Sequence, residues 1–348
     1  MEDAHKGLDS QSSELIVHIG FGKTSTSKLQ VDIFPYLCEY TGYKYWGNES
    51  GAKFYFSDDI QLTDNFINLI ARMWLDKPVN KMEFQRNTFI SNEGLSSYRD
   101  AHRMLDYAEK NLTTFGRDAH IVLTIREPRR WLTSIYMQRC LHENPTQEPE
   151  HFFLSEEDYS VYLPDAKFNI DRFDYIKIID KYRDLFEKIT VVKFEALPEM
   201  NFLLDIFSLT EKQLIELRMR YKKRKINRAL SISSIKLVKN FGKVLAQFQL
   251  SYKAKYNNAV LLSRSRYDYL KKHTLRNSEM RGLKGLRVKF FSIFHYKVLL
   301  FKIVDKIVPY NKFSLNFDDL KNINIKFLEQ QYNSLPDYIT YNKTDKQN

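Results

Sequence analysis

The sequence predicts an α/β fold in three layers, with a central parallel sheet flanked by helices and a mainly helical, basic region after it. Three observations carry that expectation. Short apolar runs, such as Leu15-Ile16-Val17-His18-Ile19 and residues 120–125 (HIVLTI), alternate with longer segments whose apolar residues recur at helical spacing. Gly and Pro number only 11 and 9 in 348 residues, so connections are short. Beyond about residue 200 the strand pattern stops and helical spacing runs to the end.

Taken in order, Leu15 to Ile19 reads as a buried strand, followed by a loop of small residues and a helix from about Thr26 to Tyr40 that Gly42 ends. Tyr43 to Trp46 is the second strand. Residues 62–75 repeat apolar side chains at helical spacing until Pro78 stops them. Thr88-Phe89-Ile90-Ser91 is a third strand leading to a helix from about Ser96 to Asn111. Residues 120–125 form the fourth strand, and Arg126-Glu127-Pro128 turns it into another helix, with Pro128 suited to a first helical turn. The fifth runs from Ile189 to Phe194. The expected organisation is a tail over residues 1–13, an α/β core over 14–220 and a basic helical region over 221–340.

Hydrophobic residues at 43% and charged residues at 28% are ordinary globular values and exclude wholesale disorder. Cys38 and Cys140 are the two cysteines, too few and too far apart for a C-x-x-C pair or a zinc site, and read as reduced thiols. No apolar run reaches the roughly 18 residues of a spanning helix. Residues 290–304 come nearest, but Lys297 and Lys302 interrupt them. The first residues are acidic and lack the order of an export signal, so a cytoplasmic location is expected.

Charge is placed unevenly. Between Lys222 and Lys312 stand 23 Lys and Arg against Asp268, Glu279 and Asp305, a net +20 within a chain of net +11. Such a block points to an anionic partner. Five cations crowd residues 222–228, and Arg281, Lys284, Arg287 and Lys289 precede the aromatic run at 290–304, a pattern suited to peripheral contact with an anionic inner-membrane surface. No nucleic-acid recognition module is visible.

The first loop carries the chemistry. His18-Ile19-Gly20-Phe21-Gly22-Lys23-Thr24-Ser25-Thr26-Ser27 ends a strand and opens a helix, which sets amides, a lysine and four hydroxyls at a positive helix terminus. An anion site is the expectation. The arrangement is P-loop-like, yet the Walker pattern G-x-x-x-x-G-K-[ST] needs glycine where Val17 stands, and the strand 120–125 ends in Arg126 rather than in a magnesium-binding Asp. Chemistry without a metal fits better. In the second loop Arg126 leaves a strand end and Ser134 follows two turns into the next helix, a pair able to hold a second phosphate.

These residues resemble the PAPS-dependent sulfotransferases, whose first loop reads K-[ST]-G-T-T and whose second reads R-x-P with serine eight residues after the arginine. Lys23-Thr24-Ser25-Thr26-Ser27 matches the former, with Ser25 in place of glycine, and Arg126 with Ser134 matches the latter. Val192-Lys193-Phe194-Glu195-Ala196-Leu197 looks like the V-x-[YF]-E-x-L strand of the same family. The likeness covers residues 14–205 and is nearest the carbohydrate-directed bacterial branch.

The resemblance implies transfer of a sulfuryl group from 3′-phosphoadenosine 5′-phosphosulfate (PAPS) to a hydroxyl of a carbohydrate, polysaccharide or glycolipid. It implies that Gly22, Lys23, Thr24, Ser25, Thr26 and Ser27 bind the donor, that Arg126 and Ser134 hold its 3′-phosphate, and that Lys23 stabilises the leaving phosphate. The base in this family leaves the strand before the Arg strand, where Glu93 stands; His18 and His102 are the weaker candidates. Two other readings stay open: a phosphotransferase using ATP, and a non-catalytic basic protein bound to a membrane.

Overall fold

The computed structural model describes residues 14–48, 54–55, 73, 78–84, 87–96, 103–142, 148–154, 168–169, 173–223, 231–237, 240, 312–320 and 323–343. The expected tail at 1–13, the helix at 62–75 save Met73, His102, the aromatic run at 290–304 and most of the basic region at 221–340 lie outside them.

Strand β1 (Leu15–Gly20) is buried at every position but the first, as an apolar run needs when both faces of its sheet are covered. The helix expected after the loop comes in three pieces: α1 (Thr26–Lys28), a π-helical turn (Leu29–Ile33) and α2 (Phe34–Thr41). That wider turn, a form often found beside functional sites, contains Gln30, whose amide donates to the carbonyl and hydroxyl of Ser91 at 3.0 and 3.1 Å. Gly42 ends α2 at φ 73°, where its N–H meets the Cys38 carbonyl at 3.0 Å.

Next come β2 (Lys44–Asn48), β3 (Phe54–Tyr55), β4 (Thr88–Ser91), α3 (Met104–Phe115), β5 (His120–Ile125), α4 (Pro128–His142) and α5 (Pro149–Phe152). They are followed by β6 (Phe153–Leu154), β7 (Phe168–Asn169), α6 (Tyr175–Leu185), β8 (Lys188–Lys193), α7 (Glu211–Lys223), α8 (Ile325–Ser334) and β9 (Tyr338–Asn342). Asp174 caps α6 by accepting from the Lys177 N–H at 2.8 Å.

The main sheet has the order β3-β2-β4-β1-β5-β8-β9. Its five inner strands pair in parallel, with Val17 against Ile90 on one side and Ile121 on the other. The two edges are antiparallel, β3 against β2 and β9 against β8. The sheet is therefore mixed, not wholly parallel as expected, and residues 338–342 correct the helical reading of the chain's end. Tyr338-Ile339-Thr340-Tyr341 are β-branched and aromatic residues left half-exposed, which suits an edge strand and gives no buried face for a helix. One core cluster joins Ile16, Phe34, Leu37, Phe89, Val122, Val192 and Leu203 from strands and helices. Each such side chain contributes about 1.5–3 kcal/mol through burial.

Chain contacts divide the protein into two units, each assembled from separate stretches of the sequence. The first unit comprises Met1–Glu127, Asp174–Arg224 and Leu328–Asn348 and holds the whole seven-stranded sheet. The second comprises Pro128–Phe173 and Lys225–Phe327. Within the second, Trp131 stacks on Phe173 with centroids 4.5 Å apart, Tyr136 meets Phe152 and Phe313, and β6 pairs with β7. Among the described residues no helix is long and apolar enough to cross a membrane.

Candidate functional site

The site is built at the carboxyl ends of β4, β1, β5 and β8, which stand side by side in the sheet. The loop after β1 begins at Gly20. A Cβ there would sit 2.8 Å from the Thr26 hydroxyl and 2.9 Å from the His18 ring, so only glycine lets the chain pass between them. Phe21 extends the ladder by donating its N–H to the Thr124 carbonyl at 3.1 Å, and its buried ring stacks on Tyr175 with centroids 6.3 Å apart.

A tight turn then reverses the chain. The Thr24 N–H returns to the Phe21 carbonyl at 3.2 Å, and the Thr24 hydroxyl donates to the same oxygen. Lys23 and Ser25 both take the left-handed conformation, at φ 73° and 63°. Two non-glycine residues in that region within one turn are uncommon, and such strain concentrates at functional loops. Ser25 is the N-cap of α1, and its carbonyl receives the N–H groups of Lys28 and Leu29 at 2.9 and 3.0 Å. Its side chain makes no cap bond; its hydroxyl instead lies 3.3 Å from that of Tyr221 on α7.

The structure thus separates the four hydroxyls expected at a ligand. Thr24 and Thr26 are buried, 3.4 Å from one another, while Ser25 and Ser27 remain half-exposed beside Lys23.

Arg126 follows the last residue of β5, the strand directly beside β1. Its Nη1 donates to the Lys23 carbonyl at 2.8 Å, its guanidinium lies 4.5 Å over the Phe194 ring at the end of β8, and its own carbonyl accepts the Tyr175 hydroxyl at 2.6 Å. The two loops singled out from sequence therefore touch. Burial, followed by the nearby Tyr332 phenol and the Glu127 and Glu195 carboxylates, pushes the Tyr175 phenol well above its usual value, so it stays a donor. Ser134 lies on α4, half-buried, in the second unit.

Glu93 opens a 3₁₀ turn (Glu93–Ser96) one residue beyond β4 and is half-buried. Asn92 fixes the turn, its N–H on the His18 carbonyl at 3.2 Å and its side chain accepting from the Gly94 N–H at 2.7 Å. Ser96 donates to the carbonyls of Glu93 and Gly20, which ties this turn to the end of β1.

His18 is no reactive group. It is wholly buried, with Nδ1 2.8 Å from the Ser91 hydroxyl and Nε2 2.8 Å from that of Thr124, and burial pulls its pKa down to about 3. A neutral ring with one donor and one acceptor joins three strands beneath the loop.

No family model, curated protein or solved structure matches the chain. The motif spacing and the strand-end geometry therefore carry the functional reading together.

Sequence reasoning missed Tyr175 and Tyr221. Both sit on amphipathic helices where a tyrosine reads as core, and nothing local marks the hydroxyl as turned towards a loop 49 or 196 residues away.

Proposed function

We propose that the chain is a sulfotransferase that takes PAPS as donor and sulfates a hydroxyl of a carbohydrate, polysaccharide or glycolipid. The single observation that carries the reading is the position of Lys23 and Arg126. Their loops leave adjacent parallel strands, β1 and β5, where the connections diverge: β1 leads to β2 on one side of the sheet and β5 to β8 on the other. In open α/β sheets ligands bind at the carboxyl ends of strands at such a switch point. The order of the five parallel strands also supports the P-loop-like reading.

In this reading Lys23 and the amides that open α1 stabilise negative charge on the leaving 5′-phosphate. A guanidinium carries five N–H donors, so the bond from Arg126 to the Lys23 carbonyl is compatible with its holding the 3′-phosphate as well. Ser134 enters on its spacing from Arg126 alone. Glu93 takes the proton from the acceptor hydroxyl as that oxygen bonds to sulfur and the sulfur–phosphate oxygen bond breaks. The basic stretch at 222–312 would receive an acidic acceptor or the anionic surface that carries it, and the cytoplasm would supply the donor.

Thermal-shift and calorimetric titration with adenosine 3′,5′-bisphosphate, ADP and ATP tests the proposal. Selective stabilisation by the bisphosphate is the expected result. Magnesium-dependent turnover of ATP with no preference for the bisphosphate would replace it with phosphoryl transfer.

A further inference from the structure

Ser25 stands where the resembling loops carry glycine, and it adopts the conformation that glycine enters without strain: φ 63°, ψ 16°. A side chain there clashes with its own backbone, and the conformation lasts only when the surroundings hold it. The neighbour on this side of the loop is Tyr221, near the end of α7, whose hydroxyl meets the Ser25 Oγ at 3.3 Å. The Tyr221 ring is itself held, lying 4.9 Å over the ammonium of Lys28, a cation that is 7% exposed. Lys28 belongs to the short helix that Ser25 caps, so ring and hydroxyl grip the two ends of one helical turn.

We propose that Tyr221 is a positioning residue for the loop that carries Lys23. Its hydroxyl holds Ser25 in the left-handed conformation and so replaces the backbone freedom of a glycine. Arg126 does the same for Lys23 from the opposite neighbour, through the carbonyl, and the two strained residues are each secured by a side chain from another element. The consequence for binding rests on the reading of this loop as a phosphate cradle; the latch itself does not.

Four proteins test it: the parent chain, Tyr221→Phe, Ser25→Gly and the double variant. Phenylalanine keeps the ring over Lys28 and removes only the hydroxyl, while glycine removes the need for a latch. Amide hydrogen exchange over residues 22–27 is measured without ligand, and adenosine 3′,5′-bisphosphate affinity is measured by calorimetry. Tyr221→Phe is expected to speed exchange of the loop amides and weaken the bisphosphate by about fivefold each, the worth of one modest hydrogen bond. Both effects are expected to disappear when position 25 is glycine. Unchanged exchange in Tyr221→Phe overturns the proposal. So do equal losses in both backgrounds, since Tyr221 would then act through packing or on the ligand. A parent protein that shows the exchange pattern but binds no bisphosphate upholds the latch and removes the PAPS reading instead.

Discussion

Arg126 donates from Nη1 to the main-chain carbonyl of Lys23 at 2.8 Å, across the boundary between two adjacent parallel strands. The bond joins the two loops that the chemistry would need together. It also explains how Lys23 keeps a φ of 73°, because a peptide gripped by a charged donor cannot easily flip to relieve that strain. Tyr175 in turn grips the Arg126 carbonyl, and its ring stacks on Phe21 of the loop that carries Lys23.

Replacing Arg126 by lysine keeps the charge and loses the planar fork. The three donors of an ammonium radiate from one nitrogen and cannot reproduce the spread, bidentate fork that reaches the Lys23 carbonyl and an anion together, so bisphosphate affinity should fall by about tenfold or more. Calorimetry measures this, and circular dichroism should report an unchanged fold. Parental affinity in Arg126→Lys would remove Arg126 from the site.

Lys23→Ala is expected to lower both donor affinity and turnover, since the ammonium would act on the bound phosphate and on the charge it gains as the bond breaks. A rate defect of about a hundredfold is the scale set by loss of one preorganised charged donor. An unchanged affinity for the bisphosphate would count against the first loop as the cradle.

Glu93→Gln preserves shape and hydrogen bonding but cannot accept a proton. Turnover should be lost while the bisphosphate still binds to within about threefold of the parent, because the proposed role sets Glu93 against the acceptor hydroxyl and not against the donor. Sulfate transfer followed by mass spectrometry gives the readout, and near-normal turnover would rule the carboxylate out as base.

Gly20→Ala should destabilise the fold by about 1–3 kcal/mol, since the new methyl meets the Thr26 hydroxyl at 2.8 Å and the buried His18 ring at 2.9 Å with no room to yield. Urea denaturation would show it as a lower midpoint at unchanged slope. A midpoint equal to the parent's would mean that the loop shifts freely.

His18 predicts a pH dependence. Its ring titrates near 6.5 when unfolded and near 3 in the fold, so between those values the unfolded chain binds the extra proton. The stabilisation is whole above about pH 6.5 and drains as the pH falls towards 3, at no more than about 1.4 kcal/mol per pH unit from this one group. His18→Gln removes that titration and should lose less stability between pH 7 and pH 5 in denaturant melts than the parent does. Equal losses in the two proteins would refute the assignment.

The inner strands could be read directly, because β1 and β5 are apolar runs whose burial on both faces leaves a plain mark in the residue order. Lys23, Arg126 and Glu93 could be placed for the same kind of reason: each comes within three residues of such a run, and local chain geometry puts it at a strand's carboxyl end. The edge strand Tyr338–Asn342 could not, since it is short, half-exposed and held by pairing with β8 about 150 residues earlier. The break of the first helix into a π turn was equally hidden. The grips of Arg126 on Lys23, Tyr175 on Arg126 and Tyr221 on Ser25 arise only when distant segments pack. A tyrosine on an amphipathic helix has the same local pattern whether its hydroxyl meets water or a strained loop, and folding alone settles which.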